Sequence, residues 1–225
     1  MSNRGAAGSP FAALWVIGAC ALGALLVWWS MPAEAVERFM GETGPVERLT
    51  AASYAACAIA IWLARVPGDD RRTTAAAAAM LLAFAARELD WHRTFTGTSV
   101  LRVSWYGGPA SVGAKLLAAC VLAAVLLALA WLLMRHGRAM WRGWRQRRPI
   151  AVTMLLFVAT LLLAKSLDRS VAILVEDFGV PVTPSWKALR TAFEEWLELA
   201  LSLLVALALW QRRQEPRGGE PSDDG

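Results

Sequence analysis

Residues 112–134 read VGAKLLAACVLAAVLLALAWLLM, and Lys115 supplies the only charge in this stretch. An α-helix rises about 1.5 Å per residue, so the stretch is long enough to cross a hydrocarbon core about 30 Å thick. The whole chain has the same character, because 57% of its 225 residues are apolar and only 18% are charged. Such a composition is unusual for a soluble domain. The sequence therefore predicts an integral membrane protein.

Five further apolar segments have comparable lengths and end at charged or turn-forming residues. They span residues 11–31, 49–64, 74–91, 150–167 and 190–210. Together with residues 112–134 they predict an all-α bundle of six transmembrane helices, because short connections then account for nearly the whole chain. Residues 1–211 form a single transmembrane helical domain in this interpretation. Residues 212–225 are rich in Pro, Gly and charge, which predicts a disordered cytoplasmic tail.

The first apolar segment is followed by Ala33-Glu34-Ala35, a pattern that also occurs at signal-peptide cleavage sites. The segment is longer than the apolar core of a typical signal peptide, and Arg4 is the only basic residue before it. We therefore expect an intact first helix.

Basic residues are distributed unevenly between the two ends of the predicted helices. With the amino terminus placed inside, 13 of the 23 lysine and arginine residues and six of the 18 acidic residues fall on the inner side. The inner side is then the positive one, as the positive-inside rule requires. We expect a multi-pass protein of a bacterial inner (plasma) membrane with both termini in the cytoplasm. Because the basic residues flank apolar segments, the net charge of +5 does not indicate a nucleic-acid partner.

Ionisable residues within or at the ends of four of the predicted helices lie at similar heights. The helical rise places most of them about 21 to 30 Å from the cytoplasmic basic flank of their helix, at the outer edge of the hydrocarbon core. These residues are Glu47, Arg87, Glu88, Asp90, His92, Lys165, Asp168, Arg169, Glu194, Glu195 and Glu198. Charged groups at membrane depth are costly unless paired, and they usually face the bundle interior or a wet cavity. The layer therefore predicts a polar cavity that opens outward.

Spacing and residue type suggest roles within this layer. Glu88 and His92 are four residues apart and share one face of the third helix, where they suit acid–base chemistry. The candidate catalytic residues are Glu88, His92 and Asp168. The candidate ligand-binding residues are Arg87, Asp90, Lys165, Arg169, Glu194, Glu195 and Glu198. The structural alternative is a salt-bridge network that fixes helix packing, with His92 an ordinary interfacial histidine.

Three functions are compatible with these residues. The first is the binding or processing of a lipid headgroup or a periplasmic small molecule, with membrane lipids as partners. The second is a structural or accessory membrane subunit whose charges only lock the helices together. The third is a small-solute or proton-coupled transporter, although the chain has no internal repeat of the kind that transporters usually show.

The sequence does not favour a catalytic zinc centre, although a metal ion and a cofactor remain open. Catalytic zinc commonly has two or three histidine ligands, whereas this chain has only His92 and His136, on opposite sides of the membrane in the predicted topology. Cys20, Cys57 and Cys120 each lie in the middle of an apolar segment, which is typical of small buried hydrophobic residues. The reaction, if there is one, is therefore left open.

The residues around the layer carry one resemblance. Residues 87–93 read RELDWHR and are followed by Phe95-Thr96, and the later segments KSLD at 165–168 and EEWLE at 194–198 complete the pattern. This pattern resembles that of a group of uncharacterised bacterial polytopic inner-membrane proteins with a RELDWH-type motif. The resemblance covers most of the chain from the third helix onward, and it implies an inner-membrane location but no particular activity. The chain lacks the several transmembrane histidines of the membrane hydrolases related to alkaline ceramidases.

Overall fold

A computed structural model describes residues 8–41, 44–63, 70–91 and 103–214 of the chain. Within these ranges the secondary structure is helical and contains no strand, so the predicted all-α class is confirmed. The helices are α1 Ala12–Ser30, α2 Ala33–Met40, α3 Pro45–Leu63, α4 Arg71–Glu88, α5 Val103–Gly107, α6 Val112–Arg145, α7 Pro149–Ala172 and α8 Pro184–Gln214. A π-helical turn, Ile173–Asp177, extends α7.

Four stretches of the described chain are long and apolar enough to cross a membrane. They are Ala12–Ser30, Ala33–Leu63, Val112–Arg145 and Pro149–Asp177. These stretches support the membrane character of the chain. Length and apolarity alone identify four candidate membrane spans, and not the six that were predicted. The two remaining long helices, α4 and α8, carry charged residues along their length, including Arg87 and Glu88 on α4 and Glu194, Glu195 and Glu198 on α8.

Helix α8 forms the centre of the molecule. It packs against α1, α2, α3 and α7, and it buries both apolar residues such as Leu201 and Leu204 and the polar residues Glu198, Ser202 and Gln211. The outer helices expose apolar side chains instead, and the apolar part of α6 has no buried residue at all. A bilayer favours a polar centre inside an apolar surface, because hydrocarbon cannot solvate polar groups that are exposed to it.

Side-chain contacts bring one end of the helices together at a common level. Asp70, which caps α4, lies 3.3 Å from Arg135 of α6. Thr153 of α7 donates a 2.9 Å hydrogen bond to Gln211 of α8. Because Arg145 and the carboxyl-terminal arginines of α8 lie at the same end, we call it the basic end of the bundle.

Several helices differ from the predicted segments. Helix α2 was not predicted, because its Glu34, Glu37 and Arg38 interrupt the apolar pattern while Val36 and Met40 are buried. Helix α6 continues past Met134 to Arg145, and α8 continues past the predicted tail boundary at residue 212 to Gln214. A scan for apolar stretches stops at arginine, whereas arginine is a good helix former.

Candidate functional site

The centre of the candidate site is the carboxylate of Glu198 on α8, whose side chain is only 5% exposed. Its Oε1 atom accepts a 2.7 Å hydrogen bond from Nζ of Lys165 on α7. The same oxygen accepts a 3.1 Å hydrogen bond from the guanidinium of Arg87 on α4. Arg87 also donates to Oε1 of Glu88 at 3.0 Å. Three helices that are far apart in the sequence therefore meet at one buried oxygen atom.

A second group of ion pairs continues the network toward the amino-terminal end of α8. Arg190 lies 3.0 Å from Oε2 of Glu194 and 3.8 Å from Oδ1 of Asp168. It also donates a 3.1 Å hydrogen bond to the backbone carbonyl of Asp168. The other carboxylate oxygen of Asp168 lies 3.9 Å from Nζ of Lys165. Asp168 and Lys165 thus connect the two groups.

Arg190 was absent from the candidate residues that the sequence supplied. It is the first residue of the sixth predicted segment. Its signal was nevertheless present, because Arg190 and Glu194 are four residues apart and therefore neighbours on one helix face.

Glu195 lies beside the network without joining it. Its Oε2 atom is buried and has no hydrogen-bond partner among the residues that the structure describes. Its carboxyl group interacts electrostatically with those of Glu198, Glu194 and Glu47. A buried oxygen without a donor is costly, so Glu195 is a position where a proton, a water molecule or a ligand donor would be stabilised.

An aromatic layer lies next to the charged residues on their basic-end side. The rings of Tyr54 and Phe84 have centroids 5.5 Å apart, and those of Phe84 and Phe157 are 6.3 Å apart. Phe84 lies about one turn before Arg87 on α4, and Phe157 lies about two turns before Lys165 on α7. The layer packs across α3, α4 and α7, so it separates the charged residues from the basic end.

The depth of the site can be measured along α1. The ring of Trp196 lies so close to Gly23 that a Cβ atom there would be 2.8 Å from it. Gly23 is about 17 Å from the first residue of α1 and about 11 Å from the last. Glu198 is two residues closer to the basic end, near the middle of the span. The sequence placed it higher because the distance was counted from Arg212, and α8 extends beyond the start of α1.

The remaining predicted residues have different positions. Asp90 follows α4 with a φ of 47°, a left-handed conformation that ends the helix. Arg169 is exposed and has no ion pair with any other described residue. His92, a candidate catalytic residue, lies outside the described ranges. The structure therefore brings together Arg87, Glu88, Lys165, Asp168, Glu194 and Glu198, with Glu195 and Glu47 beside them.

No metal-binding cluster accompanies these charges in the described part of the chain. No three His, Cys, Asp or Glu side chains there are grouped so that they would hold a metal ion. A cavity of about 250 Å³ lies elsewhere, between the ends of α1, α2 and α8. Trp28, Trp29, Met31, Ala33 and Ser185 line it, so it contains no ionisable group and offers no acid–base chemistry.

Comparisons with protein-family models, with curated proteins and with solved structures find no match to this chain. The resemblance to bacterial inner-membrane proteins with a RELDWH-type motif therefore stays a prediction. The arguments for function below rest on the site itself.

Proposed function

We propose that the chain is a six-helix protein of a bacterial inner membrane, with both termini in the cytoplasm. Its charged site binds or processes the headgroup of a lipid or a periplasmic small molecule. The observation that carries this proposal is the mid-depth position of Glu198, where two cations from two other helices converge on one carboxylate oxygen. Groups of this kind at membrane depth usually mark a functional site.

The six-span topology is supported by the residues that make α4 and α8 less apolar. Arg87 and Glu88 on α4, and Glu194 and Glu198 on α8, direct their charges at one another rather than at lipid. A helix whose charges are enclosed by neighbouring helices does not need an apolar surface all round. Apolarity therefore undercounts the spans in this chain.

A structural lock is the second candidate, and the completeness of the ion pairs favours it. Arg87, Lys165 and Arg190 each contact at least one carboxylate, and Glu198 joins three helices through one oxygen. Such a network would fix helix packing without any ligand.

Conservative variants at Glu88 separate the two candidates. Glu88→Gln keeps shape and hydrogen bonding but removes the titrating group. A functional site predicts normal protein level and normal melting temperature in detergent, together with loss of complementation in a deletion strain. His92→Gln provides the parallel test at the second candidate acid–base residue. Full complementation by both variants would exclude the catalytic reading and leave the structural lock.

A further inference from the structure

Among the described helices, the charged site is open on one side, between α4 and α7. Both helices reach Glu198 on α8 through long side chains, but within the described chain α4 does not pack along either α7 or α8. A groove therefore runs between α4 and α7, with Glu198 at its bottom and the Phe84–Phe157 contact closing it toward the basic end.

Helix α6 covers this groove only loosely. It contacts both α4 and α7, yet its only buried residue is Gly143, close to the basic end. The part of α6 level with the charged site contributes no buried residue. The groove accordingly opens sideways, toward the surface that the bilayer surrounds.

Three charged side chains are partly exposed in this opening, although they lie well within the span of α7 and at the end of α4. The exposed fractions are 36% for Arg87, 34% for Lys165 and 44% for Asp168. Hydrocarbon cannot solvate such groups, so a polar group must occupy the opening when the protein is in a bilayer.

We infer that the groove between α4 and α7 admits the headgroup of a zwitterionic amphiphile from the bilayer, with its phosphate at Arg87 and Lys165 and its ammonium group at Asp168. This inference rests on the proposed function, which it narrows to a ligand class and an entry route. The acyl chains of the amphiphile would remain in the lipid beside α6.

The balance of charge selects a headgroup of mixed sign. Within the described residues the network contains three cations, Arg87, Lys165 and Arg190, and five carboxyl groups, Glu88, Asp168, Glu194, Glu195 and Glu198. A purely anionic headgroup would meet the partly exposed carboxylate of Asp168 and be repelled. A purely cationic one would meet Arg87 and Lys165 at the opening. A phosphate with a nearby ammonium group pairs with both signs, as charge-assisted hydrogen bonds require.

The experiment measures lipid retention on the purified full-length protein by native mass spectrometry in detergent. The probes are phosphatidylethanolamine, phosphatidylglycerol and water-soluble glycerophosphoethanolamine. We expect preferential retention of phosphatidylethanolamine, weakened roughly tenfold in Lys165→Gln and in Asp168→Asn, because each removes one charge-assisted contact. Lys165→Arg should restore retention. Arg213→Gln, which removes an exposed cation at the basic end of α8, away from the groove, is the matched control and should retain lipid normally.

Equal retention of phosphatidylethanolamine and phosphatidylglycerol would overturn the inference, as would retention unaffected by Lys165→Gln and Asp168→Asn. Binding of glycerophosphoethanolamine as tight as that of the lipid would overturn entry from the bilayer while leaving the proposed binding site in place. Absence of all three ligands would overturn the inference, whereas the proposed function is judged separately by complementation with Glu88→Gln. Melting temperatures of every variant show whether each protein is folded. Within the described residues Asp168 makes only long ion contacts, of 3.8 and 3.9 Å, whose loss costs little.

Discussion

A single oxygen atom, Oε1 of Glu198, receives donors from both Lys165 and Arg87. Buried ion pairs are costly to form, but removing one partner is costlier still, because it leaves the other charge without compensation. In this network the loss would fall on two cations at once. The stability of the bundle should therefore depend more on Glu198 than on any exposed charge of α7 or α8.

The first prediction is that Glu198→Gln lowers the free energy of unfolding by about 3 kcal/mol, the lower end of the range for breaking a buried pair, since Lys165 and Arg87 are each about one-third exposed. Detergent melting or denaturant unfolding measures it. If the charges act only as a lock, Lys165→Gln in the same chain should recover part of the loss. Arg169→Gln should leave stability unchanged, and a comparable loss in that control would contradict the argument.

Asp70 offers a test of charge at a helix end outside the membrane-spanning segments. Its carboxylate accepts hydrogen bonds from the backbone N–H of Arg72 at 3.0 Å and from the Thr73 hydroxyl at 3.1 Å. The Arg72 N–H, then Thr73 and nearby Arg135, hold the pKa of Asp70 below its ordinary value of 3.8. A lowered pKa means that the stabilisation is present above about pH 4 and is lost as the pH falls through the folded-state value.

The second prediction is that Asp70→Ala lowers the melting temperature at neutral pH, because the cap of α4 and the contact with Arg135 are lost. Asp70→Asn keeps a capping side chain but has no titrating group. Its melting temperature should therefore lie between those of the wild type and Asp70→Ala at neutral pH. The differences between wild type and Asp70→Asn should shrink on acidification. A gap that widens at low pH would mean that the carboxylate does not stabilise the helix end.

At the scale of elements, the crossing of α6 and α7 depends on close approach at one glycine. A Cβ atom on Gly143 would lie 2.9 Å from Cβ of Ala151, a distance that real Cβ atoms essentially never show. Gly137, two turns earlier on α6, has nothing within 4 Å of the corresponding position. Both glycines lie within the same α-helix, but only Gly143 is in close contact with a neighbouring helix.

The third prediction follows from this contrast. Gly137→Ala should leave the protein as stable or increase stability by about 0.5–1 kcal/mol, because alanine is the better helix former. Gly143→Ala should destabilise it, because α7 must move away from α6. Thermal unfolding of the two variants in the same detergent gives the comparison. Similar shifts of the same sign would show that the α6–α7 crossing adapts freely.

The sequence predicted the apolar elements well and the polar ones less well, for a physical reason. Apolarity locates both ends of α1 and the amino-terminal ends of α6 and α7 to within about one residue, since lipid imposes a minimum length on apolar segments. Amphipathic α2 and the extension of α6 to Arg145 carry charged residues, so a search for apolar segments does not detect them.

The same reason limits prediction of the site. Intramembrane charges pointed to Arg87, Lys165 and Glu198 as a group, because each needs a partner. In the structure both cations contact the Glu198 carboxylate. Which carboxylate would be shared depends on how α4 and α7 approach α8, and that is set by packing over long sequence separations. Arg190 was missed because it lies at the very start of its predicted segment, although its nearest partner, Glu194, is four residues away on the same helix.

At the scale of the whole molecule, the number of spans decides which side each loop occupies. With the amino terminus inside and six spans, the turn between α6 and α7 is cytoplasmic and the connection between α7 and α8 is outside. If only the four apolar stretches cross, α4 stays on the inner side. The turn between α6 and α7 is then outside, and the connection between α7 and α8 is cytoplasmic. Four spans would also place Arg138, Arg142, Arg145, Arg147 and Arg148 outside, against the positive-inside rule.

The fourth prediction uses this exchange to count the spans. In a variant whose three native cysteines are replaced, single cysteines are introduced at Ser9, Arg147 and Val180, which lie before α1, between α6 and α7, and between α7 and α8. Arg147 and Val180 are both exposed, so labelling reports location rather than burial. A membrane-impermeant maleimide applied to intact spheroplasts should label Val180→Cys and should reach Ser9→Cys and Arg147→Cys only after permeabilisation. Labelling of Arg147→Cys but not of Val180→Cys or Ser9→Cys would mean that α4 and α8 do not cross the membrane. We expect them to cross because Arg87, Glu88, Glu194 and Glu198 form ion pairs within the bundle, and such pairs are what lets helices with these charges enter a bilayer.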